Sequence, residues 1–297
     1  MDPRAIVESI PNISEGRRPE VVQEFIDGIK AVNGVTVLDW SSDADHNRTV
    51  ITLAGNPEGL KNAVRVLYAK AAQHIDLRNH TGEHPRMGAV DVVPFVPLRG
   101  CTMADCVELS KEVAKMVNEE FGVPVILYEE SASAPHRSNL ADIRKGQFEA
   151  MAEKLQKPEW IPDFGTAVHP SLGVSAIGAR EALIAFNVNL DTPDIKVADK
   201  IAKAVRHISG GLRFCKAIGI ELGDRKQVQV SMNLVNYKKT PIYRALELVR
   251  IEARRWGVNV VGSEIIGLIP LAAITESFAY YIGQENYDPS QVLETRL

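Results

Sequence analysis

One order of elements, strand–helix–strand–strand–helix–strand, runs through the chain twice, and no other feature narrows its possible folds so far. In the first pass AIVESI reads as a strand. Pro19 then opens a helix in which Val21, Val22, Phe25, Ile26, Ile29 and Val32 recur at helical spacing. Gly34 supplies a left-handed stop just beyond it. VTVLDW and RTVITLAG follow as two strands joined by the polar link SSDADHN. Asn56-Pro57 caps and starts a second helix with the stripe Leu60, Ala63, Val64, Leu67 and Ala71, and GAVDVVPFV closes the unit. Pro94 marks this last strand as an edge strand or one that ends early.

The second pass starts after residue 180. ALIAFNVNL is a strand, and Thr192-Pro193 opens a helix with Ile195, Ala198, Ala202, Val205 and Ile208 facing inward. LRFCKAIGIEL and QVQVSMNLVN pair across GDRK, Thr240-Pro241 opens a helix with Ile242, Leu246, Val249 and Ala253, and VNVVGSEII ends the unit. This order is the ferredoxin-like βαββαβ unit. The expected class is α+β, with two such subdomains in tandem over 1–178 and 179–297. Between the repeats lies an insert of helix (ADCVELSKEVAKMVNEEF, capped by Thr102), strand (VPVILYEE) and helix (the end of SASAPHRSNLADIRKGQFEAM). KPEWIPDFGTAVHPSLG reads as a long connecting loop, and loops of that length in compact proteins are usually functional or linkers.

Charge and cysteine usage exclude several classes. A formal net charge of -4 argues against a nucleic acid or an anionic membrane as main partner, since both favour excess Lys and Arg. Small anionic ligands remain open, because a few local arginines suffice for them. No apolar run approaches the roughly 20 residues of a membrane-spanning helix, and the N-terminus lacks a secretory h-region. Cys101, Cys106 and Cys215 make no disulfide framework and read as free thiols of a cytoplasmic protein.

His80-Thr81-Gly82-Glu83-His84 has the H-x-x-E-H spacing of a group of zinc peptidases. That chemistry needs both histidines one turn apart on a helix. Gly82 costs helix stability, and Pro85 biases His84 towards extended backbone, so the segment reads as a loop and no metal is expected. In the expected topology, strand order 4-1-3-2, the polar stretches after strand 1, between strands 2 and 3 and before strand 4 share one rim. Asn12, Ser14, Glu15, Arg17, Asp39, His46, Asn47, Arg48, Glu83, His84 and Arg86 are thereby gathered. Arginines there suit carboxylates, and a histidine suits proton transfer at neutral pH. The rim holds no recognisable nucleophile motif, which favours acid–base chemistry on an anionic substrate. Caps, turns and solvated charges are the plainer reading of the same residues.

ESIPNISEGR, HNRTVITLAG, GEHPRMGAVDVVPFVP, SAPHRSNLADIRKGQFEAM, WIPDFGTAVHPSLGVSAIGAR and LIAFNVNLDT, in this order, resemble the formiminotransferase family of folate enzymes. The resemblance implies transfer of a formimidoyl group from N-formimidoyl-L-glutamate to N5 of tetrahydrofolate, and a homodimer. It implies that His84, in GEHPRMG, is the catalytic acid/base. The folate-binding loop would be Gly165, Thr166, Ala167, Val168, His169, Pro170, Ser171, Leu172 and Gly173. This loop departs from the animal enzymes, which run one residue longer and carry a tryptophan before the last glycine. Both substrates carry carboxylates, so some of Arg17, Arg48, Arg86 and Arg137 are expected to pair with them, with Asn12, Asp39 and Asn47 as orienting groups. Tetrahydrofolate is the only cofactor expected, as co-substrate. No cyclodeaminase activity is expected. A formimidoylglycine or formyl donor, an ATP-driven 5-formyltetrahydrofolate cyclo-ligase and folate binding without turnover are the alternatives.

Overall fold

A computed structural model describes residues 4–296, and the chain divides into two compact units after Arg180. The first unit begins with one strand broken into β1 (Ile6–Ser9) and β2 (Asn12–Ile13) by Ile10 and Pro11. After it come α1 (Pro19–Lys30), β3 (Val35–Asp43), β4 (Arg48–Gly55), α2 (Pro57–His74) and β5 (Val90–Arg99). Local chemistry sets the helix ends. Pro19 occupies the first turn of α1, and the Asn56 side chain accepts the Gly59 N–H at 2.7 Å to cap α2. The sheet runs β5, β1/β2, β4, β3, that is fourth, first, third, second, with every pairing antiparallel.

The insert adds α3 (Met103–Phe121), β6 (Val125–Glu129), α4 (Leu140–Arg144), α5 (Gln147–Lys154) and β7 (Ser175–Ala179). Strand β7 was not anticipated: SAIGA is short and composed of small residues, so it carries little strand signal. It pairs parallel with both β5 and β6. The edge-strand reading of GAVDVVPFV is therefore overturned, because β5 is interior. Pro94 is tolerated because Ser9 pairs with Phe95 and Asn12 with Val92. The missing N–H thus falls opposite the gap where the first strand is itself broken.

Alternation along the strands divides the sheet into two faces. Ile51 and Leu53 of β4 and Val93 and Phe95 of β5 are buried in one core with Phe25 and Ile29 of α1, Leu67 of α2 and Val113 of α3. On the opposite face, Val92, Ile126 and Ala176 pack with Ile143 of α4 and Met151 of α5. The insert helices thus cover β5, β7 and β6. On that face of β4, Arg48, Val50 and Thr52 alternate with the core residues.

The second unit repeats the order with β8 (Ile184–Leu190), α6 (Ile195–Val205), β9 (Cys215–Leu222), β10 (Gln227–Leu234), α7 (Ile242–Arg255) and β11 (Val260–Ile266). Its sheet is β11-β8-β10-β9, again fourth, first, third, second. Helix α6 starts later than Thr192-Pro193 suggests, because Asp194 is the cap and accepts the Lys196 N–H at 2.9 Å. Away from the buried Phe186, Val188, Val228 and Val230, Gln229 donates to Asn189 (2.8 Å) and Asn187 to Glu264 (3.1 Å). A further helix, α8 (Leu271–Ile282), has no counterpart in the repeat.

Candidate active site

The three polar stretches expected on one rim do meet, and backbone contacts hold them together. Ser14 Oγ donates to the Gly88 carbonyl (2.8 Å), the Gly16 N–H donates to Asn47 Oδ1 (3.0 Å), and Asn47 Nδ2 donates to the Thr81 carbonyl (2.9 Å). The segment between the short turn Leu77–Asn79 and β5 is a loop, not a helix. A β-carbon on Gly82 would lie 2.4 Å from the His46 carbonyl oxygen, so the loop reaches the β3–β4 turn only through glycine.

His80 and His84 do not converge. A guanidinium only donates, so Arg86 Nε bonded to His80 Nδ1 at 3.2 Å places the His80 proton on Nε2, which donates to the Asn47 carbonyl at 3.1 Å. His80 is thereby saturated. Among the described residues no group of three or more His, Cys, Asp or Glu side chains is placed to hold a metal ion.

His84 is buried, with 9% of its surface exposed. Arg48 Nη1 lies 3.4 Å from His84 Nδ1 and can only donate, so the ring is the Nε2–H tautomer. Nε2 is buried without a hydrogen-bond partner and sits 3.9 Å from Asp91 Oδ2. Burial first, then the positive charges of Arg48 and Arg144, pull the imidazole down to a pKa of about 4, against the opposing pull of Asp91. At neutral pH His84 is therefore uncharged, with the Nδ1 lone pair turned towards Arg48. The His46 ring is 6.4 Å away, with its Nδ1 2.8 Å from Asp43.

The four candidate arginines separate by what they hold. Arg86 binds Glu149 through two bonds (2.9 and 2.7 Å), and also Gln147 and His80. Arg137 binds Asp163 (3.1 Å), Ser133 and the carbonyls of Glu159 and Ile161, with 7% of its surface exposed. Arg17 donates to the Ala44 carbonyl and Thr81. Arg48 has no ion pair among the described residues, its Nε has no partner, and its hydrogen bond goes to His84.

Asn12 pairs in register with Val50 and Val92, and its Nδ2 donates to the Ile10 carbonyl at 3.1 Å. Asn47 adopts φ 49 and spends both ends of its amide on loop backbone. Asp39 does not lie on the rim. Strand β3 continues to Asp43, and Asp39 pairs with Thr52, about 13 Å along β4 from Arg48. Ser41 to Asp43 read as linker because an outer strand exposes polar side chains.

The loop 165–173 is anchored at its far end to the segment that follows His84 and, through the Leu77 N–H on the Ser171 carbonyl (2.9 Å), to the turn before it. The Ala89 N–H donates to the Leu172 carbonyl (2.9 Å) and the Val174 N–H to the Met87 carbonyl (2.9 Å). His169 and Gly173 exchange backbone bonds, and His169 Nδ1 accepts the Leu172 N–H at 3.0 Å, which closes a tight turn. Gly173 has φ +72, and a β-carbon there would be 2.2 Å from the Met87 carbonyl oxygen. Thr166, Ala167 and Pro170 are exposed at the tip.

Two site residues escaped the sequence reading. Asp91 is 1% exposed: its Oδ1 accepts the Met87 and Gly88 N–H groups (2.8 and 3.3 Å), and its Oδ2 accepts Arg144 Nε (2.8 Å) and Nη2 (2.5 Å). The available signal was a carboxylate inside the apolar run GAVDVVPFV, since buried Asp is rare unless paired.

Comparison with known proteins adds an independent line. Residues 6–180 match the family model for the N-terminal subdomain of the formiminotransferase domain, and residues 185–294 match the model for the formiminotransferase domain. The chain is 52% identical to a glutamate formimidoyltransferase of Streptococcus pyogenes over 98% of each chain. It is 46% identical to one of Thermoplasma acidophilum, covering 99% of this chain and 97% of that one. It is also 40% identical to the formimidoyltransferase-cyclodeaminase of Rattus norvegicus, of which it spans 53%.

Proposed function

The chain belongs to the formiminotransferase family, and from that premise we infer that it transfers a formimidoyl group from N-formimidoyl-L-glutamate to N5 of tetrahydrofolate, with His84 moving the protons. The observation that carries the role of His84 is its neutral, buried ring beside Arg48, whose guanidinium has no ion pair among the described residues and an unpartnered Nε. A substrate carboxylate gives Arg48 the planar bidentate acceptor that it lacks. Turning towards that carboxylate withdraws Arg48 from Nδ1 and frees the ring's lone pair.

The remaining chemistry follows from proton balance. N5 of tetrahydrofolate attacks the amidine carbon, forming a C–N bond while the C=N electron pair moves to the amidine nitrogen. His84 Nδ1 takes the proton that N5 must lose. The imidazolium returns that proton to the glutamate nitrogen as its bond to carbon breaks and the amidine nitrogen's electron pair re-forms the C=N bond, so the products are 5-formimidoyltetrahydrofolate and glutamate. Acid–base help of this kind contributes roughly 10²–10⁴-fold, and holding two substrates together supplies a larger share. The loop 165–173 is placed in this reading against the folate, since it is anchored through Leu172 and Val174 to the segment that follows His84.

The two units are ferredoxin-like subdomains in this reading, supported by the shared fourth-first-third-second strand order. The protein works as a homodimer. Leu271, Ile274, Phe278 and Ile282, spaced three, four and four residues apart on α8, are each more than two-fifths exposed. A single apolar seam of this kind is self-complementary about a two-fold axis. A cytoplasmic setting agrees with three free cysteines.

The test is a spectrophotometric assay of tetrahydrofolate with formimidoylglutamate, without ATP or added metal. His84→Ala folds and retains folate binding while turnover falls at least about a hundredfold, within the range of acid–base catalysis. Near-normal turnover of that variant removes His84 from the mechanism.

A further inference from the structure

Behind His84 stands a buried carboxylate, that of Asp91. Asp91 is the first charged residue on β5, and its carboxylate is tied at both oxygens. Oδ1 is held by the N–H groups of Met87 and Gly88, in the same loop as His84, and Oδ2 by Arg144 of α4. The nearest approach of this carboxylate to the histidine is Oδ2 to Nε2 at 3.9 Å, and Nε2 is buried with no other partner.

We propose that Asp91, clamped by Arg144, is the positioning partner of His84: it faces the Nε2–H side of the ring and leaves Nδ1 as the nitrogen that carries the reaction's proton. This rests on the reading of His84 as the proton carrier. When Nδ1 accepts the proton, the ring becomes a cation with Nε2–H directed at a carboxylate already fixed in place. Closing a 3.9 Å gap to hydrogen-bond distance needs only a small turn of the ring. Arg144 acts in the opposite sense. It shares Oδ2, limits the negative charge that the ring senses, and keeps His84 neutral until substrate arrives. The charged and titratable groups facing the ring are Arg48 from β4, Arg144 from α4, Asp91 from β5 and His46 from the β3–β4 turn.

The two members of the clamp therefore push His84 in opposite directions, which a packing role does not produce. The experiment is an NMR titration of the full chain labelled at histidine, with the His84 signal identified by its loss in His84→Gln. Arg144→Gln leaves Asp91 without its counterion and raises the His84 midpoint by roughly 1–3 pH units. Asp91→Asn keeps an acceptor for the two backbone N–H groups, lowers the midpoint, and reduces kcat about a hundredfold with KM for both substrates nearly unchanged. An unchanged midpoint in Arg144→Gln, or shifts of the same sign in both variants, overturns the proposal. Arg144→Gln decides alone if Asp91→Asn fails to fold. Because the titration reads the ring and not turnover, it stands even where His84→Ala proves active, so the two readings fail separately.

Discussion

Replacing Arg48 by methionine separates a binding residue from a structural one. Methionine keeps much of the length and apolar stem of arginine but removes the charge and every donor. In the free protein the loss is small. Arg48 makes one hydrogen bond, at 3.4 Å to a neutral imidazole, has an unpartnered Nε and forms no ion pair among the described residues. A bond of that quality is worth at most about 1 kcal/mol, and removing a half-buried charge with no counterion recovers a desolvation cost of at least that size. Stability is therefore unchanged to within about 1 kcal/mol, or improves. Binding behaves differently. A hydrogen-bonded contact with a carboxylate contributes about 1.5–3 kcal/mol, which corresponds to a rise in KM of roughly ten- to 150-fold. Steady-state kinetics with each substrate varied in turn shows which of the two carries the carboxylate, because only that KM moves by this amount. Thermal unfolding of the same preparation supplies the stability. An unchanged KM for both substrates together with a melting temperature several degrees lower refutes the assignment and makes Arg48 a structural residue.

Three further predictions follow from the same geometry. Arg137→Met removes the ion pair of the largely buried Asp163, which keeps only the Leu127 N–H, and takes a donor from the Glu159 and Ile161 carbonyls, so unfolding in urea shows a loss of about 3 kcal/mol; its folded fraction keeps normal kcat. His84 has a folded pKa of about 4 against an unfolded value near 6.5. Its contribution is thus complete above pH 6.5 and is lost as pH falls towards 4, on the order of 3 kcal/mol in all. Urea titrations at several pH values show that slope in the native chain and a shallower one in His84→Gln, where the depressed His80 and His169 still contribute. Phe278→Glu places a charge in the exposed seam of α8 and shifts the protein from dimer to monomer by light scattering, with the fold intact by circular dichroism.

Regular elements were legible wherever one physical signal dominated. The buried stripes of α1 and α2 have helical spacing, and Pro19, Asn56 and Thr102 mark helix starts by chemistry that acts within one turn. The broken H-x-x-E-H segment was legible for the same reason, since Gly82 and Pro85 act locally. Strand β7 was not, because SAIGA gains its place only by pairing with β5 and β6 on either side. Pro94 misled for a related reason: whether a strand can spare an N–H depends on what lies opposite, and here that is the interruption between β1 and β2.

By itself the sequence determined the twofold βαββαβ order, the gathering of polar loops along one rim, and the candidacy of His84, because each of these follows from periodicity, capping and connection rules within neighbouring elements. Tertiary structure alone decided which arginine has no ion pair beside His84, which ring nitrogen of His84 faces Arg48 and which faces Asp91, and that Arg144 stands behind Asp91. Those properties belong to pairs of groups brought together from residues 48, 84, 91 and 144. The charge state of a buried side chain is set by such neighbours, not by its own place in the chain.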